Sequence, residues 1–286
     1  MTEPHPSEPW RRLGPGDAGI LRAFLLPRED RAAGFSGQLI RDGDLRFSPF
    51  QNDGVFGVGS IGRLRGAVLW TRTGVVFPLF EDAPARDEGL ERIFRVGPIF
   101  SFLGPEPDVE ILESILGAEP RVRTRYRSMH LCQDSPRIPC PSPAVGASAR
   151  TAGLRDTQAL YALHSAYERE EVVTSVHRFD ARVSRASLEV IMAAEVVAVA
   201  EIDGLPVATA RTNARGFRTW QIGGVYVIPE FRGQGWGRFV MAYLIGVLDR
   251  AGKAASLFVK ERNLTARGLY HSMGFRDVGP FRVDYL

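Results

Sequence analysis

A glycine-rich stretch between an apolar run and an amphipathic helix constrains this chain more than any other feature. Residues 223–238 read GGVYVIPEFRGQGWGR, and apolar side chains follow at the i, i+3, i+4, i+7 spacing of a helix. The pattern predicts a strand, a turn over residues 228–235, which we call the glycine turn, and a long helix. The apolar stripe of that helix comprises Trp236, Phe239, Val240, Tyr243, Leu244, Val247, Leu248 and Ala251.

The start of this helix is a predicted anion site. The first four backbone N–H groups of a helix lack partners within it, and the peptide dipoles place about half a positive charge there. Gly233, Gly235 and Gly237 have no Cβ atom, so a diphosphate can approach the main chain closely. The alternative is an ordinary strand-to-helix turn that binds nothing.

The same residues resemble the acyl-coenzyme A motif of the GCN5-related N-acetyltransferases, the GNAT superfamily. That motif reads Arg/Gln-x-x-Gly-x-Gly/Ala, and Arg232, Gly235 and Gly237 match it without a gap. A second stretch, Asn-x-x-Ala-x-x-x-Tyr-x-x-x-Gly-Phe, begins at Asn263 and is similar to the family's second signature, with Tyr270 at its tyrosine position. Both motifs stand in the family's order, with a predicted helix and strand between them.

The resemblance implies an N-acetyltransferase that transfers an acetyl group from acetyl-CoA to an amine by direct attack in a ternary complex. By the same resemblance, the backbone of Val225 and Val227 holds the pantetheine arm and the acyl carbonyl, and Tyr270 protonates the departing thiolate. An amine with a pKa of ~10.4 is mostly protonated at neutral pH, so a base is needed, and Glu170 and Glu171 are the candidates. The expected cofactor-binding residues are Val225, Tyr226, Val227, Arg232, Gly233, Gln234, Gly235, Trp236, Gly237, Arg238, Asn263 and Ala266.

Length and composition favour two domains. The chain has 286 residues, 44% of them hydrophobic and 24% charged, as is typical of globular proteins. A stretch with four prolines between residues 136 and 143 lacks periodic apolar residues and is interpreted as a linker over 133–149. We therefore expect an N-terminal domain at 1–132 and a C-terminal catalytic domain at 150–286.

The first half shows an order of elements much like that of the second. A helix is predicted near 17–26, a β-meander at 55–58, 64–70 and 75–80, and then a helix, a strand and a helix at 86–95, 99–103 and 108–116. Where the glycine turn would recur, at residues 104–108, two prolines remove N–H donors, and Glu106 and Asp108 add negative charge. We expect a degenerate GNAT-like domain of unknown function that binds no cofactor.

The predicted fold class is mixed α+β, with two tandem GNAT-like domains, each a mostly antiparallel twisted sheet flanked by helices. In the second half, Asp156 and Asp180 are predicted to start helices, and Asp203-Gly204 is a two-residue hairpin signal. The apolar residues of the helix after Asp180 are Val183, Leu188, Val190 and Ile191. Residues 57–62 spell Gly-x-Gly-x-x-Gly, but a strand is predicted after them rather than a helix, which favours a hairpin turn over a nucleotide site.

Charge and cysteine content exclude several functions. The net charge of +3 is mild and its arginines are scattered, so nucleic-acid binding is not expected. From Arg121 to Arg127 an arginine stands at every second position, so these arginines lie on one face of a predicted strand. That face is either solvated or forms a groove for an acidic acceptor or RNA.

Cys132 and Cys140 make no zinc site, and no metal is expected. The sequence shows no run of about twenty apolar residues and no secretory leader, which predicts a cytoplasmic protein without membrane contact.

The sequence does not specify the acceptor, the acyl chain or the oligomeric state. The acceptor amine belongs to a small molecule, a peptide or a protein, and neither the acyl chain nor the oligomeric state follows from the residues. One alternative function is a CoA-binding sensor or scaffold without turnover. Another is a peptidyl transferase that takes an aminoacyl-tRNA donor, a class that generally lacks an intact phosphate-binding turn such as the one present here.

Overall fold

The computed structural model describes residues 9–41, 43–50, 53–60, 62–82, 88–95, 97–173 and 178–286. These residues form two compact units. Unit 1 takes the described residues up to Ser128 together with Val259–Arg262 and Asp277–Leu286, and unit 2 comprises Met129–Phe258 and Asn263–Arg276. Among the helices of the described ranges, none has the length and apolar character needed to cross a bilayer.

The elements follow the chain in this order. The first group comprises β1 (Arg11–Arg12), α1 (Ala18–Leu25), α2 (Glu29–Leu39), β2 (Ile40–Arg41), β3 (Asp44–Leu45), β4 (Gly54–Val58), β5 (Gly66–Trp70), β6 (Val75–Phe80), α3 (Glu88–Phe94), β7 (Ser101–Pro105), α4 (Glu106–Leu116) and β8 (Val122–Leu131). The second group comprises β9 (Ala147–Thr151), α5 (Thr157–Tyr167), α6 (Ala181–Ala194), β10 (Val197–Ile202), β11 (Leu205–Arg215), β12 (Thr219–Val227), α7 (Trp236–Arg250), β13 (Ala254–Lys260), α8 (Leu264–Ser272) and β14 (Arg276–Tyr285).

Unit 1 contains a sheet in the order β1-β4-β5-β6-β7-β14-β8. The predicted meander is confirmed, since β4, β5 and β6 pair antiparallel, and β7 then joins β6 in parallel. After residues 57–62, of which 61 lies outside the described residues, the chain enters β5, so the glycine pattern does not open a helix. Helix α2 was not predicted, and the predicted start of α3 at residue 86 lies outside the described residues.

The last strand of the chain belongs to unit 1 rather than to the C-terminal half in which the sequence places it. Its residues Phe281 to Tyr285 pair antiparallel with β7. Arg282 is 1% exposed, with Nη1 3.2 Å from Glu110 Oε1 and Nη2 2.6 Å from Asp284 Oδ2. A ladder and a buried ion pair therefore hold β14 in unit 1, while the boundaries predicted at 132 and 150 stay predictions.

The arginine-rich strand β8 presents its arginines on one face of unit 1. Arg123 and Arg125 are exposed, and they pair with carboxylates of α4, Arg123 with Glu113 at 3.0 Å and Arg125 with Glu106 at 3.4 Å. Each pair is screened by solvent and contributes little to stability. These contacts agree with the interpretation of this stretch as a solvated sheet face.

A buried carboxylate in unit 1 gives the first testable prediction. Asp108 lies in the first turns of α4, and burial raises its pKa from 3.8 to about 6. The folded state therefore holds the proton more tightly, so the stabilisation present below pH 4 is lost as the pH rises through 6. We expect Asp108→Asn, which stays neutral, to raise the free energy of unfolding by about 1–3 kcal/mol at pH 7.5 and not at pH 4.

Denaturant unfolding at the two pH values measures this difference. Asp82→Asn is the matched control, because Asp82 is a largely exposed carboxylate of the same unit. Its substitution should shift stability by less than about 0.5 kcal/mol at either pH. Equal stabilisation by Asp108→Asn at both pH values would show that ionisation of Asp108 is not the cause.

Unit 2 contains a sheet in the order β13-β12-β11-β10-β9, antiparallel except for the β12–β13 pair. Val197 and Val199 of β10 pack with residues of α5 and α6. Because side chains alternate along a strand, Ala198 and Ala200 face the opposite side, where α7 packs on the sheet. The sheet of unit 2 is thus covered on both faces by helices.

The local signals of unit 2 mostly form as predicted. Asp180 caps α6, its Oδ1 accepting from the N–H of Arg182 and Val183 at 2.7 and 3.1 Å. Asp203 and Gly204 take φ values of 50° and 80°, which are those of a type I′ hairpin turn. Strand β9 begins at Ala147, within the stretch interpreted as a linker, where Ala147 pairs with Ile202. On α6 the buried residues are Ser184, Leu188 and Met192, whereas Val183 and Val190 are 67% exposed.

Candidate active site

The glycine turn presents backbone amides at the start of α7. Gly235 is the N-cap residue with φ of 90°, a left-handed value that favours glycine. The first bond across this end runs from the Phe239 N–H to the Gly235 carbonyl at 3.0 Å, so the amides before Phe239 have no intrahelical acceptor. Arg232, Gly233 and Gln234 are exposed, whereas Trp236 is buried and anchors the helix through edge contacts with Phe231 and Phe239.

The last glycine of the motif is constrained differently. A Cβ on Gly237 would lie 3.5 Å from Leu269 of α8 and 3.6 Å from Val227 of β12, which are ordinary contacts. An alanine therefore fits here, as the Gly/Ala position of the motif allows. Arg238 donates to the Ser272 carbonyl at 3.3 Å, which ties the start of α7 to the end of α8.

Strand β12 separates from β13 immediately before the glycine turn. Their parallel pairing covers Thr219 to Ile222 on β12 and Ala254 to Leu257 on β13. Beyond Ile222, β12 continues to Val227 without that pairing, and its register with β11 shifts between Thr209 and Arg211. The shift opposes two residues of β12 to one of β11, a β-bulge, and Gly224 takes the left-handed φ of 57° there. Backbone groups of residues 223–227 are thus redirected at the place where the strands part.

Two side chains of β11 lie across the bulge and account for the adjacent glycines. A Cβ on Gly223 would stand 2.0 Å from Asn213 Nδ2, and one on Gly224 would stand 2.5 Å from Arg211 Nε. Both distances are far below van der Waals contact. Both glycines are therefore required by packing, and Gly224 is required by its backbone conformation as well.

Tyr270 of α8 is 7% exposed. Burial is the main cause that raises the pKa of Tyr270, and the charges of Tyr167 and Glu171 add to it. Tyr167, itself half-buried, has its pKa raised by desolvation first, an effect opposed by Arg211 and by a hydrogen bond from the Gly224 backbone. The hydroxyls of Tyr270 and Tyr167, the carboxylate of Glu171 and the bulge thus lie in one region, with both tyrosines protonated at neutral pH.

Glu170 joins the segment after α5 to the cofactor motif. Its Oε1 accepts from the Tyr226 hydroxyl at 2.6 Å, and its Oε2 pairs with Arg232 Nη2 at 2.8 Å. The hydrogen bond from Tyr226 is the main cause that lowers the pKa of Glu170. Burial and this bond raise the pKa of Tyr226 to about 12. Tyr226 therefore faces the segment that contains the candidate bases, and Arg232 reaches back to the Val227 carbonyl at 2.9 Å.

Asn263 begins α8 as a cap. Its Oδ1 accepts from the Ala266 N–H at 3.0 Å, which is the geometry of an N-cap side chain. Both residues were predicted to bind the cofactor, and this bond gives them a structural role. Among the described residues no three His, Cys, Asp or Glu side chains form a candidate metal site, and the expected absence of a metal stays a prediction.

The cap supplies the second testable prediction. Asn263→Ala should lower the free energy of unfolding by about 1 kcal/mol, because one orphan amide of α8 loses its acceptor. Asn263→Asp keeps the acceptor and is the matched control. Denaturant melts measure the stability, and calorimetry with coenzyme A measures affinity. A drop in affinity of more than about tenfold, which corresponds to about 1.4 kcal/mol, would show that the Asn263 side chain also contacts the cofactor.

Sequence reasoning missed several residues of this region. Arg211 and Thr209 lie on the hairpin strand β11, and His164 and Tyr167 lie on α5. The available signal was the Gly223-Gly224 pair within a strand, since glycine inside a strand marks a bulge or a close approach.

Three solved structures share the fold of this chain. A Drosophila protein has 11% sequence identity and a TM-score of 0.67, covering 98% of this chain and 99% of its own. A GCN5-related N-acetyltransferase from Sphaerobacter thermophilus has 19% identity and a TM-score of 0.58, covering 96% and 93%. A tandem GNAT protein from the clavulanic acid biosynthesis pathway has 15% identity and a TM-score of 0.54, covering 96% and 98%. At these identities the likeness establishes the fold alone.

Sequence comparison addresses the family directly. No curated protein matches the chain significantly. The model of the acetyltransferase (GNAT) family matches residues 158–275, a segment that includes the bulge, the glycine turn and Tyr270. The resemblance to the GNAT family is thereby confirmed: the family model matches residues 158–275, and the chain as a whole has the fold of a solved tandem GNAT protein.

Proposed function

We propose that unit 2 is an N-acyltransferase that moves the acetyl group of acetyl-CoA to an amine. The observation that carries the proposal is the parting of β12 from β13 at a glycine bulge, directly before a helix start with free amides. A long donor with an anionic end and a thioester end fits such an arrangement. Its diphosphate would meet the glycine turn, and its arm would run beside the redirected backbone of Val225 and Val227.

The chemistry follows from the groups near the bulge. The amine lone pair attacks the thioester carbonyl carbon, the C–S bond breaks, and the sulfur leaves as a thiolate. Tyr270 is suited to protonate that thiolate, because its raised pKa keeps it in the neutral, proton-donating form. Backbone N–H groups near Gly224 are suited to stabilise the negative oxygen of the tetrahedral intermediate.

Of the two candidate bases, we propose Glu171. Glu170 already accepts from Tyr226 and pairs with Arg232, and its lowered pKa makes it a weak proton acceptor. Glu171 is close enough to Tyr270 for its charge to raise the pKa of the phenol. We assign Glu170 a positioning role, holding Arg232 and the segment after α5 together.

We further propose that unit 1 binds no acyl-CoA. Strand β7 ends at Pro105 and α4 begins at Glu106, so no turn separates them. Glu106 and Asp108 occupy the first turn of α4, where they repel an anion. In unit 2 the equivalent connection is the exposed glycine turn.

Two measurements on the purified chain test the proposed function. Calorimetry with acetyl-CoA should give saturable heat for one site, and a thiol-release assay should show release that depends on an added amine. Heat without amine-dependent release across a broad amine panel would favour a CoA-binding scaffold. No heat at millimolar acetyl-CoA would exclude an acyl-CoA enzyme.

A further inference from the structure

A small pocket lies beside the bulge on the α5 and α6 face of unit 2. Its volume of about 20 Å³ has room for one or two water-sized groups. Leu160, Leu188 and Val197 form its apolar part, and Tyr167, Thr209 and Arg211 form its polar part. Gly224 also lines it, so the pocket adjoins the backbone at which we place the acyl carbonyl.

Arg211 brings a charge into this pocket that is not neutralised locally. Within the part of the chain that the structure describes, its one polar partner is Asn213 Oδ1, 2.8 Å from Nη1. Its guanidinium carbon stands 5.9 Å from the centre of the Tyr167 ring. Since a guanidinium has five N–H donors in a planar fork, most of the donor capacity of this half-buried side chain is unused.

The position of this arginine requires glycine at two neighbouring positions of β12. Gly223 and Gly224 lack Cβ atoms where Asn213 and Arg211 cross the strand, and any other residue would collide with them. The arginine is thereby held against the bulge instead of extending into solvent. The bulge at Gly224, beside which we place the acyl carbonyl, therefore also fixes the position of Arg211.

A second polar group lines the pocket. His164 is 7% exposed, and its Nε2 stands 3.2 Å from Glu168 Oε1. Burial first, and the charge of Arg211 among the other causes, lower the pKa of His164, so the ring is neutral at pH 7. The pocket therefore contains one uncompensated cation, Arg211, beside a neutral imidazole that contacts Glu168.

The opposite charge lies to one side of the pocket. Glu168 and Glu171 are near enough to Tyr167 for their charges to raise its pKa. A ligand with only negative charge would be repelled by these carboxylates, and a ligand with only positive charge would be repelled by Arg211. A small molecule with an ammonium group and a carboxylate satisfies both ends.

We propose that Arg211 binds a carboxylate of the acceptor, and that the acceptor is a small amine bearing a carboxylate, of the amino-acid class. This inference rests on the proposed function, because it names the acceptor of the same site. The carboxylate accepts two hydrogen bonds from the fork of Arg211, and the amine points towards Glu171 and the bulge. The small volume of the pocket selects a carboxylate over a phosphate or a longer acidic chain.

Matched acceptors test the proposal through thiol release with saturating acetyl-CoA. Each pair consists of an amino acid and its amide, for both α-amino and ω-amino compounds, at a pH that leaves a comparable fraction of each amine unprotonated. The wild-type chain should prefer the acid in kcat/KM by about 30- to 100-fold, the range expected of a charge-assisted bidentate contact. Equal kcat/KM for the acid and the amide in every pair would overturn the proposal while leaving the proposed function intact.

Substitution then assigns the preference to one residue. Arg211→Met fills the space above Gly224 without charge and should lower kcat/KM for the acids about 30- to 100-fold, with the amides changed less than threefold. Arg215→Met, on the same strand but stacked on Trp220, is the control and should keep the acid preference. Retained heat with acetyl-CoA shows that each variant is folded.

The outcomes separate the two proposals. An acid preference that persists in Arg211→Met would overturn the role of Arg211. If Arg211→Met fails to fold, Arg211→Lys, which keeps the charge and loses the fork, replaces it and should retain only part of the preference. Thiol release by the wild-type chain that does not depend on an added amine would instead contradict the proposed function.

Discussion

Tyr270→Phe should lower kcat by about 100- to 1,000-fold while the Kd for acetyl-CoA changes less than twofold. The phenol hydroxyl is the proposed proton donor to the departing thiolate, and the substitution removes only that hydroxyl from a buried ring. The raised pKa of Tyr270 leaves it protonated throughout the neutral range, so we expect no loss of rate between pH 6 and 9 from ionisation of this group. Thiol release gives kcat, and calorimetry gives Kd.

The control for this prediction is another tyrosine of unit 2. Tyr243 on α7 accepts from the Thr151 N–H at 3.0 Å, away from the bulge, and Tyr243→Phe should leave kcat within twofold. Equal losses in both variants would point to stability as the cause. A full rate in Tyr270→Phe would remove the tyrosine from the mechanism and leave proton transfer to water or to another group.

Gly235→Asp should weaken acetyl-CoA binding at least about 100-fold. The new carboxylate would stand at the start of α7, where the donor's diphosphate is proposed to meet the helix amides, and two like charges in contact repel strongly. A Cβ at this position meets nothing closer than Pro143 at 3.8 Å, so steric exclusion within the fold does not contribute. The left-handed φ of 90° adds modest strain, which aspartate tolerates better than most residues.

The opposite end of the same helix offers a matched control. Gly252 follows α7 with φ of 67°, and a Cβ there would lie 3.7 Å from Gln133, so Gly252→Asp introduces similar strain and the same charge. We expect its Kd for acetyl-CoA to stay within threefold of wild type. Calorimetry compares the two variants, and thermal melts compare their stability. Equal weakening by both would place the diphosphate elsewhere.

Much of the fold was predictable because its signals are local. The caps Asp180 and Asn263, the Asp203-Gly204 turn and the start of α7 depend on backbone conformation and on neighbours three or four residues away. The helix α2 was missed because its sequence, with glycines at 34 and 37, has weak helix propensity, and packing in unit 1 overrides it.

The candidate site has one part that is local in the sequence and one part that is not. The residues of the proposed donor half can be grouped from the sequence, since the glycine turn and the motif from Asn263 to Tyr270 are each contiguous. The contacts of Glu170 with Tyr226 and Arg232, separated by more than fifty residues, could not be predicted from it.

The sequence by itself determined where α6, α7 and α8 begin, where the hairpin turns, and that a glycine turn precedes α7. Only the tertiary structure decided that β14 pairs with β7, that Arg211 lies across Gly224, and that Glu170 is already engaged. The physical reason is that these contacts depend on strand register. A shift of one residue in β11 or β12 would move Arg211 and Tyr226 to the other face of the sheet, and no local pattern specifies that choice.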